Sequence, residues 1–381
     1  MSLAMVAAGF TPGEADHLRR SMAAWRRGGE LGIFEHKLLQ GMRERGYADE
    51  FAQQIVRQIR GFGEYGFPES HSASFALLVY VSAWLKCHHP AAFTCALLNS
   101  QPMGFYAPSQ LVQDARRQGV EVRPVDVRYS AYDCTLEPCC TKGPAIERPI
   151  IRLGLRRVKG LSKAGSEALL FARREAPFDD IPTMAATARL NKRDIEALAA
   201  ADALKGLVGH RHRAWWQAAG IEKPLPMFKV SRFDEPEALL RKPSEGEDIV
   251  ADYAQTGLTL RRHPLALLRD RMSARGICQA SALLALNPNT AVRVAGLVTC
   301  RQRPGTASGV MFVTLEDETG YVNVIAWPNI AKAQRYALLS ARLLLVSGTL
   351  QRAGEVFHVI ARRFKDLSAW IGGLDAYARD F

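Results

Sequence analysis

Val292-Arg293-Val294-Ala295-Gly296-Leu297-Val298-Thr299-Cys300, Val310-Met311-Phe312-Val313-Thr314-Leu315-Glu316 and Tyr321-Val322-Asn323-Val324-Ile325-Ala326 are three β-rich runs in close succession. They are dense in β-branched and aromatic residues, as strands of a packed sheet are. Two more runs follow, Arg342 to Leu350 and Val356 to Arg362, and Pro328 to Leu339 between the third and fourth has helical spacing. Asp317-Glu318-Thr319-Gly320 reads as the turn joining strands two and three, with Gly supplying a positive φ. Strand, strand, strand, helix, strand, strand is the order of a five-stranded OB-fold barrel.

Such barrels bind oligonucleotides on strands two and three and through the loops joining strands one to two and four to five. The first of those loops is read here as Arg301-Gln302-Arg303-Pro304-Gly305-Thr306, the second as Gln351-Arg352-Ala353-Gly354. Arg301, Arg303 and Arg352 thus become candidate DNA contacts. Phe312, Tyr321 and Trp327 are candidate stacking platforms, and each is equally a residue type that fills a core.

Working outward from the barrel, the charge points the same way. The 381 residues carry a formal net charge of +12. From Arg148 to Arg213 there are 14 Lys/Arg against 7 Asp/Glu, so more than half the excess lies in one short segment. A concentrated basic patch is the footprint of a polyanion partner. Within it, Arg156-Arg157-Val158-Lys159-Gly160-Leu161-Ser162-Lys163-Ala164-Gly165 resembles a helix-hairpin-helix, with Ser162 where the usual second Gly stands. Ser can cap the following helix, whose N-terminal N–H groups would face a DNA phosphate. Arg156, Arg157, Lys159, Gly160 and Lys163 are the candidates there. Leu190-Asn191-Lys192-Arg193-Asp194-Ile195-Glu196-Ala197-Leu198 reads either as a second hairpin, adding Lys192 and Arg193, or as an ordinary helix capped by Asn191.

The first 145 residues read as helical. Thr11-Pro12-Gly13-Glu14 is a capping box with Pro at the first helical position. Gly61-Phe62-Gly63-Glu64-Tyr65-Gly66-Phe67-Pro68 is read as a break. Ser70-His71-Ser72 then opens an apolar helix from Ala73 to about His88, an end suited to a triphosphate or to simple capping. Residues 221–246 read as a Pro- and charge-rich linker. The 7 cysteines form no C-x-x-C pair, and Cys87, His88 and His89 match no common zinc spacing. No apolar run reaches membrane-spanning length, and Met1 to Phe10 lacks the flank and cleavage site of a secretory signal, so a cytoplasmic location is expected. No nucleophile triad or P-loop is present. Asp179-Asp180 and Glu316-Asp317-Glu318 are read as turn residues rather than metal ligands.

One stretch carries a resemblance to a known family. Gly61 to Tyr80, GFGEYGFPESHSASFALLVY, closely resembles the fingers of C-family bacterial DNA polymerases. Trp84-Leu85-Lys86-Cys87-His88, Leu97 to Tyr106, Met22-Ala23-Ala24-Trp25-Arg26-Arg27, Asp366-Leu367-Ser368-Ala369-Trp370 and Arg379-Asp380-Phe381 are similar to the error-prone, translesion branch. The resemblance implies a C-terminal stretch running from late fingers to OB-fold. It divides into 1–145 as the end of the fingers, 146–220 as tandem helix-hairpin-helix, 221–285 as linker with short helices, 286–367 as barrel and 368–381 as tail. The fold class is multidomain α+β, with an all-α fingers portion and tandem hairpins before the barrel. Ser70, His71 and Ser72 are implied at a nucleotide site. The palm carboxylates and their Mg2+ lie upstream in the family and match nothing here, so no catalytic residue and no cofactor is carried over. The implied partners are primer-template duplex and single-stranded template, an inactive Y-family-like polymerase and a recombinase-like protein. Gln279-Ala280-Ser281-Ala282-Leu283-Leu284 lacks the terminal aromatic of a sliding-clamp peptide, so the clamp is expected through a partner. A non-enzymatic adaptor whose barrel and tail bind protein is the alternative.

Overall fold

The computed structural model describes residues 2–23, 31–64, 69–103, 106–138, 149–221, 239–304, 307–354, 356–373 and 379–380. Contacts divide the chain into two units, Met1–Cys87 and His88–Phe381. The first holds α1 (Ser2–Ala8), α2 (Pro12–Ala23), α3 (Leu31–Glu44), α4 (Asp49–Glu64) and the bulk of α5 (Glu69–His88). Its core joins Ala4, Phe10, Leu18, Leu38, Met42 and Ile55. The capping box forms as spaced: Thr11 N–H donates to Glu14 Oε2 at 3.0 Å and Glu14 N–H to Thr11 Oγ1 at 3.3 Å. α4 runs through Gly61 and Gly63, where a break was expected. Each Gly weakens a helix by about 1 kcal/mol relative to Ala but does not block it.

The second unit opens with α6 (Pro90–Asn99) and α7 (Pro108–Arg117). A small sheet follows, β1 (Val122–Arg123), β2 (Thr135–Glu137) and β3 (Ile150–Arg152), with β3 central, parallel to β1 and antiparallel to β2. Next come α8 (Lys163–Glu175), α9 (Ile181–Thr187), α10 (Lys192–Ala200), α11 (Lys205–Val208) and α12 (Arg211–Ala219). One core runs through all of these, including Leu98, Val112, Val127, Ile151, Leu169, Ile181 and Leu198. Residues from α6 to β2 therefore pack with the hairpins, whereas the sequence grouped them with the helices before them.

Of the expected linker, 222–238 lie outside the described residues. The described part, 239–285, holds α13 (Glu245–Thr256), α14 (Arg269–Ser273) and shorter turns. Ser244 and Glu247 form a capping box on α13. The buried Arg211 of α12 pairs with Asp248 and Asp252 of α13, at 2.5 Å each. Arg261 adds pairs to Asp202 at 2.9 Å and Asp248 at 3.0 Å. Beyond α14 the chain enters the barrel.

The barrel strands are β4 (Ala291–Gln302), β5 (Met311–Glu316), β6 (Tyr321–Ala326), β7 (Leu343–Ala353) and β8 (Val356–Asp366). Their order is β5-β6-β8-β7-β4, and β4 pairs back onto β5 to close the cylinder. Only the β6–β8 pair is parallel among these five. Val294, Val298, Val313, Leu315, Val324, Val346, Leu350 and Val359 fill the interior. The helix between β6 and β7 is two short ones, α15 (Pro328–Ala333) and α16 (Arg335–Ser340), broken at Gln334. Its side chain accepts from Phe364 N–H at 2.7 Å and donates to Arg362 O at 3.1 Å, filling the irregularity in β8. The β5–β6 turn is held by Asp317, whose Oδ1 accepts from Thr319 N–H at 2.7 Å and Gly320 N–H at 3.0 Å. Gly320 is not at positive φ, so the side chain does what glycine was expected to do. A short β9 (Arg379–Asp380) pairs parallel with β4.

Candidate nucleic-acid interface

Two turns repeat one pattern. In the first, the chain reverses at Val158–Ser162 with Gly160 at φ +89, and Ser162 caps α8 by accepting from Gly165 N–H at 2.9 Å. In the second, Arg189 takes φ +49 and Asn191 caps α10 by accepting from Asp194 N–H at 2.8 Å. Gly160-Leu161-Ser162-Lys163 and Arg189-Leu190-Asn191-Lys192 thus each present a positive-φ residue, a leucine, an N-cap and a lysine. Lys159, Lys163, Lys192 and Arg193 are exposed.

A residue that the sequence reading passed over joins the two turns. Asp194 is buried in the first turn of α10. Its Oδ1 accepts from Ser162 N–H at 2.7 Å, and its Oδ2 from Ser162 Oγ at 2.9 Å and Asn191 Nδ2 at 2.7 Å. One carboxylate therefore satisfies polar groups of both N-caps. Gly165 makes room for it, since a Cβ there would lie 2.4 Å from Asp194 Oδ2. The result is two helix N-termini held as a unit, each with first-turn N–H groups and a lysine suited to a phosphate.

Arg156 and Arg157 are placed differently from the expectation. Arg156 donates to Asp133 at 2.7 Å, to Asn99 O at 2.8 Å and to Gln101 O at 3.3 Å. It serves the carbonyl end of α6, where helix carbonyls lack partners. Arg157 Nη2 donates to Thr256 O at 3.0 Å at the end of α13.

On the barrel, Phe312 of β5 faces out at 37% exposure opposite Ile325 of β6, and Trp327 is 51% exposed. Arg303 is exposed. Arg301 is a correction: it lies in β4 and is 5% exposed, donating to Leu338 O at 2.8 Å and Ala341 O at 2.6 Å at the end of α16. The register shift between Val298 and Cys300 turns it inward, as an extra strand residue reverses the alternation of faces. Arg352 lies in β7 rather than in a loop, bonded to Gly354 O at 3.0 Å and Leu284 O at 3.1 Å. Tyr321 is not a free platform, because the Arg117 guanidinium sits 4.7 Å from its ring centre.

Three family profiles match in the same order as the architecture. They are the bacterial DNA polymerase III alpha subunit finger domain over residues 1–46, the helix-hairpin-helix motif over 119–214, and the OB-fold nucleic acid binding domain over 292–367. An error-prone DNA polymerase of Methylococcus capsulatus is 61% identical across 100% of this chain, which covers 38% of that protein. Over its full length the chain is similar to error-prone DNA polymerases. Relatives of the same description from Alkalilimnicola ehrlichii, 58% identical, and Pseudomonas fluorescens, 52% identical, are each matched over 37% of their length by the whole of this chain. The chain thus spans under two-fifths of the curated relatives it matches. Among solved structures, asparaginyl-tRNA synthetase from Pyrococcus horikoshii overlaps 21% of this chain and 20% of its own at 23% identity and a TM-score of 0.18.

The remaining candidates are found in helices and turns. Ser70, His71 and Ser72 fall in the first turn of α5, which begins at Glu69 rather than Ala73. His71 and Ser72 are exposed, and the His71 ring meets Phe75 edge-on at 5.9 Å. Gly66 to Pro68 lie outside the described residues. The acidic clusters are occupied: Asp180 caps α9, Asp317 holds its turn, and Glu318 pairs with Arg269 at 2.5 Å. They do not fit Mg2+, and among the described residues no group of three His, Cys, Asp or Glu could hold a metal ion. Gln279 to Leu284 is folded onto the barrel: Leu283 is fully buried and Ala280 N–H donates to Asp317 at 2.8 Å. No helix among the described residues is long and apolar enough to cross a membrane.

Proposed function

We propose that this chain is the DNA-gripping portion of an error-prone DNA polymerase acting in translesion synthesis and damage-induced mutagenesis. The tandem hairpins hold primer-template duplex and the barrel holds single-stranded template. The observation that carries this reading is the repeated turn locked by Asp194, which sets Lys163 and Lys192 on two fixed helix N-termini. The relatives' name supports DNA-directed DNA polymerase as the activity of the whole protein. The family's palm carboxylates and Mg2+ belong to no residue of this chain, so the chain alone does not extend a primer. Ser70, His71 and Ser72 contribute to a nucleotide site in the whole enzyme. The Y-family-like polymerase and the recombinase-like protein dock on this portion, and the clamp is reached through the former.

Fluorescence anisotropy with labelled duplex and labelled single strand tests the division of labour. Lys163→Gln with Lys192→Gln should weaken duplex by about a hundredfold, as loss of two charged phosphate contacts requires, and single strand by far less. Phe312→Ala should do the reverse, since stacking contributes about 1–3 kcal/mol per base. Equal losses on both ligands would contradict the assignment. With Mg2+ and all four deoxynucleotides, the pure chain should leave a primer unextended, and any extension overturns that part. The adaptor reading gains from the internal use of Arg301 and Arg352. It predicts that Arg303→Gln leaves single-strand binding unchanged and weakens capture of the Y-family-like partner.

A further inference from the structure

Arg157 is a largely buried cation with no anion beside it among the described residues. Its Nη2 donates to Thr256 O at 3.0 Å, and its Nε is buried and donates to nothing. Burial pushes its pKa down, and the neighbouring charge that adds to this is another cation, Arg156. Cys134, also close, is kept as a neutral thiol by its own burial. Charges removed from water are ordinarily paired, because an uncompensated one costs several kcal/mol. A structural bracket for one carbonyl needs only a neutral donor. An arginine held here without a counter-ion therefore points to an anion that arrives from outside.

The surroundings give that anion a place. Arg157 lines a groove between the first hairpin, the C-terminal end of α13 and the β4 edge of the barrel. Lys159 stands at its rim, exposed, with its backbone N–H fixed to Gln255 O at 2.9 Å. Ser109 and Gln110 line it from the first turn of α7, and Thr299 from the barrel. The one carboxylate in the lining, Glu316, is buried and lies 3.9 Å from Arg117.

We propose that this groove is a phosphate subsite in which Arg157 and Lys159 take a backbone phosphate of a nucleic-acid strand passing from the first hairpin to the barrel. It rests on the nucleic-acid reading of the two modules, and adds a contact at the place where duplex would give way to single strand. The class of ligand is a phosphate mono- or diester, recognised by charge and without base readout.

The test uses the whole chain, three labelled DNAs and inorganic phosphate. Arg157→Gln should lower affinity for a duplex with a single-stranded overhang by about tenfold, the size of one lost charged hydrogen bond. Blunt duplex should change less than about twofold. The Tm of the free variant should be unchanged or higher, because a lone buried charge has gone. Inorganic phosphate should raise the Tm of the unmodified chain and not that of the variant. A phosphate effect without the overhang effect assigns the same subsite to a free nucleotide's phosphate. A lower Tm with unchanged DNA affinity and no response to phosphate makes Arg157 a bracket for Thr256 and overturns the proposal. If the unmodified chain binds no DNA, the reading of the modules fails, and the phosphate response still decides the groove.

Discussion

Asp194→Ala removes the acceptor that Ser162 N–H and Oγ and Asn191 Nδ2 share. A buried donor left without a partner costs about 1–3 kcal/mol, more where the bond was to a charge. We expect a loss of about 3 kcal/mol in urea denaturation, and a smaller one for Asp194→Asn. A loss below about 1 kcal/mol for the alanine variant would mean that the two turns are not joined through this carboxylate. The two caps and the two lysines were readable from sequence, because capping is a local habit of Ser and Asn before a helix. Asp194 was not, because its partner Ser162 is 32 positions away and only the fold brings them together. Arg301 was misread for the opposite reason. Its neighbours announced a loop, and one irregular residue pair in β4 decided which way it faces.

Between elements, the contact of α7 and α13 with the barrel concentrates on Glu316. Burial pushes its carboxyl from 4.5 up to about 7, Asp317 adds to that, and Arg117 at 3.9 Å opposes it. Tyr253 and Tyr321 are the other titratable groups beside it, both raised by burial. The folded state therefore keeps a proton that the unfolded chain has already lost between about pH 4.5 and 7. Stability should be greatest at or below the lower end of this window, as far as Glu316 is concerned, fall as pH rises through it, and be level above. The fall amounts to at most about 3 kcal/mol. Glu316→Gln should flatten that slope and raise stability relative to the unmodified chain at pH 8, as urea midpoints at pH 5 and 8 would show. Equal slopes in both proteins would place the titration elsewhere. The barrel strands themselves were legible because the apolar alternation survives in each. The packing of the stretch around α13 was not, since Arg211 and Arg261 meet Asp202, Asp248 and Asp252 only across the fold.

Across the whole molecule, the excess of positive charge is unevenly placed. Fourteen of the 50 Lys and Arg residues lie between Arg148 and Arg213, and several that looked free are occupied in the fold. Arg152 pairs with Glu137 at 2.7 Å and Arg156 with Asp133 at 2.7 Å, while Arg211 pairs with Asp248 at 2.5 Å. Among the described residues of that segment, Lys159, Lys163, Lys192 and Arg193 stand exposed at the two turns, with Lys163 3.9 Å from Glu167. A composition cannot make that distinction, because it does not record which cations already have a carboxylate.

The central claim is that the two locked turns hold duplex phosphates through Lys163 and Lys192. The affinity of the chain for a labelled primer-template, measured across a salt series, tests it most directly. Each phosphate contact contributes about 0.9 to the log-log slope on duplex DNA. The account predicts a steep slope that falls by about 0.9 with Lys163→Gln and by about 0.9 again when Lys192→Gln is added. A slope that neither substitution changes, or no binding at low salt, would contradict it.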